Sequence, residues 1–145
     1  MAAVQTTYPF RHARWVKGMV LNSEPHVIVT RSAEDVEGIN FGEVCVQGTL
    51  DDQVVDSEIT VPYVGFAVLD ITQPTGKYEQ YANVNVIKKG VIVVQASLAV
   101  KAGDPVAFVP ATGVLTNVLT SNTQVPNATW ETSTTGAGLA AIRLS

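Results

Sequence analysis

The fold is decided by the stretch Val84-Asn85-Val86-Ile87-Lys88-Lys89-Gly90-Val91-Ile92-Val93-Val94. Most of its side chains are β-branched, and such side chains suit a pleated strand better than a helix. Gly90 can adopt the positive φ that a tight turn needs, and it follows two lysines between two apolar runs. The pattern predicts a β-hairpin with strands at 83–88 and 91–97.

The rest of the chain has the same β character. It contains 24 Val, 15 Thr and 7 Ile but only 8 Leu, and Gly, Pro, Asn and Asp separate its short apolar runs. Ser32, Asp35 and Gly38 are spaced as the cap and the end of one short helical turn. We predict an all-β protein, a single compact β-sandwich or jelly-roll-like barrel with at most that helical turn. The further predicted strands are 26–30, 43–48, 59–61, 66–70, 105–110, 114–115 and 139–144.

Length and composition limit the class of protein. A chain of 145 residues forms one ordinary domain. Hydrophobic residues make up 46% and charged residues 15%, which excludes a disordered chain. Polar residues, Gly or Pro interrupt every apolar run before the roughly 20 residues of a membrane span. A soluble chain with so few charged residues is expected to have much of its surface covered by neighbouring subunits or by a host surface.

Charge is sorted along the chain. Arg11, Arg14 and Lys17 precede every acidic residue, and only Glu131 and Arg143 are charged after Asp104. The net charge of −4 gives no electrostatic basis for direct binding to nucleic acid. The acidic middle contains Glu34, Asp35, Glu37, Glu43, Asp51, Asp52, Asp56 and Glu58.

The first residues are the candidate partner-binding segment. We predict an extended arm over residues 1–20 and a β domain over residues 21–145. Aromatic residues and Arg are enriched at binding hot spots, and the arm interleaves both. In the alternative interpretation, Phe10 and Trp15 pack on the β domain. The candidate residues are Tyr8, Phe10, Arg11, Arg14, Trp15 and Lys17.

No sequence pattern indicates an active site. His12 and His26 lie at no metal-ligand spacing from each other or from Cys45, whose strand-like surroundings favour a buried apolar role. The acidic run at 51–58 lacks the pattern of a calcium loop. We therefore expect no enzyme activity, no metal and no cofactor. The start of the sequence lacks a secretory pattern, so we expect synthesis in the cytoplasm and no membrane association.

Several segments, taken in order, resemble the structural cement or capsid decoration proteins of tailed bacteriophages. Each motif is common in β proteins, and the resemblance depends on their order along one short chain. The segments are Gln5-Thr6-Thr7-Tyr8, Ile39-Asn40-Phe41-Gly42-Glu43-Val44-Cys45-Val46, Val64-Gly65-Phe66-Ala67-Val68, Tyr81 with 86–94, Ala102-Gly103-Asp104-Pro105-Val106, and 136–144.

This resemblance implies a non-enzymatic virion protein that forms a dimer or trimer on the outer surface of an expanded capsid. It would bridge neighbouring subunits of the major capsid protein, and the basic arm would contact the capsid or a neighbouring subunit. Two alternatives stay open. One is a barrel-sandwich carrier or accessory domain with a modified Lys88 or Lys89 at a hairpin tip. The other is a β module of a phage tail or baseplate.

Overall fold

The structure, a computed structural model, describes residues 15–56 and 62–145. The described residues form eleven β-strands and no helix, which confirms the predicted all-β class. The strands are β1 Val27–Ala33, β2 Ile39–Asn40, β3 Val44–Gln47, β4 Gln53–Val55, β5 Tyr63–Ala67, β6 Lys77–Tyr78, β7 Asn83–Ala96, β8 Pro105–Phe108, β9 Leu115–Thr116, β10 Thr123–Trp130 and β11 Gly138–Leu144.

Strand β7 organises the fold because it has partners along its whole length. Its first half pairs with β1 and β5, and its second half pairs with β11. The strand order is β1-β4-β3-β5-β7-β11-β10-β8-β9, with further pairings of β7 to β1 and to β9. The described strands therefore form two rings that share β7, the first with β1, β4, β3 and β5 and the second with β11, β10, β8 and β9. This arrangement fits the predicted barrel or sandwich.

The predicted hairpin at Lys88-Lys89-Gly90 is wrong, because β7 continues through it. Val27 pairs with Lys89 and Ile28 with Ile87, so Lys88 is the extra residue of a β-bulge. Gly90 does have a positive φ of 127°, but it faces Leu144 within the ladder to β11. Lys88-Lys89-Gly90 therefore marks the point where β7 passes from the first ring to the second. The strand does not fold back on itself here, because its partners on both sides of this point are strands distant in sequence.

Other boundaries also differ from the sequence prediction. The segment 32–38 is not helical: the Glu37 N–H donates to Asp35 Oδ1 at 3.0 Å and the Gly38 N–H to the Asp35 carbonyl at 3.0 Å, which makes a tight turn. Strands β4 and β10 were not predicted, and β5 begins at Tyr63 instead of 66. The predicted strand 59–61 lies outside the described residues.

The core consists of two clusters. The larger one includes Trp130, Phe66 and Phe108 and continues through the second ring. The smaller one is drawn from the first ring and from the paired strands β2 and β6, and it contains Cys45, buried as predicted. Tyr78 is the largest side chain of this smaller cluster, and its hydroxyl donates to the Val68 carbonyl at 2.5 Å. Its burial raises its pKa to about 12, so it is a neutral hydrogen-bond donor at neutral pH.

Candidate assembly surface

Of the six predicted partner-binding residues, two lie in the described part of the chain. Tyr8, Phe10, Arg11 and Arg14 lie outside the described residues. Trp15 is partly buried. Lys17 places its Nζ 3.8 Å from Glu43 Oε1, and both side chains are about one-third exposed.

The base of the arm is fixed to β7 by backbone hydrogen bonds. The Gly18 N–H donates to the Val93 carbonyl at 2.8 Å, and the Leu21 N–H donates to the Val91 carbonyl at 3.0 Å. In return the Val93 N–H donates to the Met19 carbonyl at 3.0 Å. The pairing of residues 18–21 with β7 is antiparallel.

Gly18 also connects the arm to the first ring. Its carbonyl accepts a hydrogen bond from the Leu69 N–H at 2.8 Å. A Cβ at this position would lie 2.8 Å from Phe41 Cβ and 2.9 Å from the Gly42 nitrogen, so only glycine allows this approach. Gly18 is therefore held at a fixed point between the two rings.

A cleft of about 240 Å³ lies beside Lys17 at this point. Ala96, Val114 and Leu115 supply apolar walls, while Glu43, Gln95 and Ser97 supply polar ones. The Ser97 hydroxyl donates to the Leu115 carbonyl at 2.6 Å, which fixes the end of β7 against β9. Lys17 and Glu43 already pair with each other across the cleft wall, so the cleft offers little net charge to a ligand.

Exposed apolar side chains occur at several further places among the described residues. Val118 and Leu119, 46% and 44% exposed, lie on the loop between β9 and β10. Val36, Leu50 and Tyr81 lie on three turns beside the first ring and are 77%, 58% and 70% exposed. Sequence reasoning found the acidic residues of these turns but not the apolar ones, because each apolar residue stands alone in its own segment.

The described side chains show no cluster typical of a metal centre. Across residues 15–56 and 62–145, no three His, Cys, Asp or Glu side chains are grouped as metal ligands would be. That part of the chain also has no helix of the length and apolarity needed to span a membrane. Lys88 and Lys89 are exposed within β7 and not at a hairpin tip. The carrier alternative thus loses the geometry on which it depended.

Comparison with known proteins supplies the family. Residues 4–145 match the profile described as "Structural cement protein (E217 gp24/Pam3 gp6)". The chain belongs to the structural cement protein family. This confirms the resemblance seen in the order of the sequence motifs. It also gives the protein a structural role in association with a phage capsid.

A solved structure has the same fold. A chain of "The capsid of Myoviridae Phage XM1" superimposes with a TM-score of 0.79, covering 99% of this chain and 98% of that one. Sequence identity between the two is 17%, so this likeness concerns the fold alone. No curated protein matches the sequence significantly.

Proposed function

We propose that this cement protein is a non-enzymatic decoration protein, made in the host cytoplasm, that stabilises the outer surface of an expanded phage capsid. It would bridge neighbouring subunits of the major capsid protein and associate with copies of itself as a dimer or trimer. It would contact neither nucleic acid nor a membrane. Family membership over residues 4–145 supports the capsid as the partner.

The observation that carries the bridging role is the anchorage of the arm. We infer that residues 1–20 are the attachment arm and residues 21–145 the β domain. Gly18 bonds to Leu69 on one side and to Val93 on the other, so a partner that holds the arm also holds the domain. Tyr8, Phe10, Arg11, Arg14, Trp15 and Lys17 would supply the contacts. Each copy contributes a modest interface, and many copies on a closed shell together oppose separation of the capsomers.

The decisive experiment adds purified protein to expanded capsids that lack it and measures the temperature at which the shells open. Wild-type protein should bind and raise that temperature. The variant Arg11→Glu with Arg14→Glu should bind at least about tenfold more weakly, a loss of about 1.4 kcal/mol. The matched control, Lys88→Glu with Lys89→Glu, makes the same change of charge on β7 and should bind normally.

Two results would contradict this proposal. Absence of binding by wild-type protein at micromolar concentration would refute the capsid role. Equal weakening by both double variants would show that net charge matters and that the arm does not. The tail or baseplate alternative is separated by imaging, because it places the protein at the end of the particle instead of over the shell.

A further inference from the structure

Three turns adjoin beside the first ring, and we call them the acidic turns: 34–38, 48–53 and 79–82. The Thr49 N–H donates to Glu34 Oε2 at 2.7 Å, which joins the first turn to the second. Gln80 Nε2 donates to the Glu34 carbonyl at 3.3 Å, which joins the first turn to the third. The turn 34–38 therefore lies between the other two, and the three form one surface.

Each acidic turn exposes one apolar side chain, Val36, Leu50 or Tyr81. The turns are held in place by their own hydrogen bonds, such as that from the Leu50 N–H to Gln53 Oε1 at 3.2 Å. Tyr81 has a φ of 65°, and its N–H donates to the Ala33 carbonyl at 2.7 Å. Exposed apolar groups on a fixed backbone are prepared for a partner, because little conformational entropy remains to be lost on binding.

The same three turns also carry carboxylates. Among the described residues, the cation that bonds to these turns is Lys77, whose Nζ donates to the Glu37 carbonyl at 2.7 Å. The ion pairs found among the described residues involve Glu24, Glu43 and Glu131, and none involves a carboxylate of the acidic turns. The surface thus suits a segment that carries both cations and aromatic rings. The carboxylates are Glu34, Asp35, Glu37, Asp51, Asp52 and Glu79.

Residues 8–14 have that composition: two aromatic side chains, Tyr8 and Phe10, and two cations, Arg11 and Arg14. The other adjacent cations, Lys88 and Lys89, lie within β7 without an aromatic neighbour in sequence. The segment and the surface are therefore complementary in charge and in apolar character.

The same copy can supply this segment. Lys17 lies against Gly42, which is four positions after Gly38 of the acidic turns, a span of at most about 14 Å. The seven residues 8–14, which directly precede Trp15, reach up to about 25 Å when extended. A tethered segment has an effective concentration in the millimolar range, so in dilute solution it outcompetes a second copy.

We propose that the acidic turns are the docking site for residues 8–14 of the same copy. A consequence, which rests on the proposed function, is that the capsid must displace the arm from its own domain before binding it. Reversing the turn charges with Asp51→Lys and Asp52→Lys then releases the arm and strengthens attachment to shells.

The test uses full-length protein with His12→Cys paired with Leu50→Cys. The control pairs His12→Cys with Ile71→Cys, which is 90% exposed and two residues from Leu69, the partner of Gly18 at the arm base. The length of the chain alone would therefore favour disulfide formation in the control pair. Docking predicts that the first pair forms an intramolecular disulfide at least about tenfold faster at low salt, as the local concentration at the site is higher. Cys45 is buried and does not interfere.

Charge exchange completes the test. Arg11→Glu with Arg14→Glu should slow the His12–Leu50 cross-link, as should Asp51→Lys with Asp52→Lys, and the four changes together should restore it. Equal rates for the two cysteine pairs, or no response to the charges, would overturn the proposal. Disulfide-linked dimers would overturn it in favour of a second copy. If the cross-link behaves as expected but shells do not bind, docking stands and the capsid role fails.

Discussion

Replacing Gly90 with alanine tests the passage of β7 between the two rings. The new Cβ would lie 2.9 Å from His26 Cβ and 3.0 Å from Ile87 Cδ1. A residue other than glycine at a φ of 127° costs about 1–3 kcal/mol. Crowding adds about 1 kcal/mol, at the low end for overpacking, because both neighbours are side-chain atoms that can shift. We expect the free energy of unfolding to fall by about 2–4 kcal/mol.

Three other glycines separate backbone strain from crowding. Gly136 has open space around it and no positive φ, so Gly136→Ala should change stability by less than about 1 kcal/mol. Gly103 has a φ of 96° and open space, so Gly103→Ala should show the strain alone. Gly65 has no positive φ, but a Cβ there would lie 2.4 Å from the Ile87 carbonyl oxygen of β7. Gly65→Ala should therefore show crowding against backbone alone.

Urea unfolding followed by tryptophan fluorescence measures all four variants. With an m-value of about 2 kcal/mol per molar, Gly90→Ala should lower the midpoint by about 1–2 M. A loss no greater than that of Gly136→Ala would refute the reasoning, because it would mean that residue 90 lies in an open turn such as a hairpin tip. If Gly90→Ala lost the same free energy of unfolding as Gly103→Ala, the strained φ would account for the whole loss, and the predicted crowding against His26 would be wrong.

Three further predictions concern single side chains. Hydrogen bonds from Asn117 and from the Lys101 N–H lower the pKa of the Asp104 carboxyl below its usual 3.8, so the folded state binds a proton less readily than the unfolded state. The ionised carboxylate therefore stabilises the folded state above about pH 4, and this stabilisation is lost as the pH falls through the pKa of the folded state. The free energy of unfolding of Asp104→Asn should be lower than that of wild type at pH 7 and equal to it in strong acid. Trp130 is 1% exposed and its Nε1 has no hydrogen-bond partner within residues 15–56 and 62–145. In urea unfolding, Trp130→Phe should therefore cost only about 1 kcal/mol, whereas Trp130→Ala should cost about 3–5 kcal/mol. Burial raises the pKa of the Cys45 thiol, so Ellman's reagent should label it at the rate of unfolding, and rapid labelling of native protein would contradict its place in the core.

Local composition predicted the all-β class but not how the strands join. Val and Ile on both sides of Gly90 correctly indicated strand, yet no local signal distinguishes a hairpin from one strand with two sets of partners. The partners decide the outcome here, and they come from β1, β5 and β11. Strand β10 escaped prediction because it contains Pro126 and also Asn127, whose φ is 54°.

The candidate surface was predicted only in part. The basic arm is continuous in sequence, so its cations and aromatic residues can be recognised from the order of residues alone. The acidic turns were visible as a run of charge, but their apolar members were not. Val36, Leu50 and Tyr81 come from three segments, which hydrogen bonds to Ala33 and Glu34 bring together in the fold.

The anchorage of Gly18 determines how tension on the arm enters the protein. The segment 18–21 runs antiparallel to the middle of β7, so a pull along the arm stretches its hydrogen bonds to Val91 and Val93 together, in shear, instead of breaking them one after another. From β7 the load passes directly to β1 and β5 on one side and to β11 on the other. Under the proposed function, a swelling shell that holds the arm would therefore pull on β7, which has partners along its whole length.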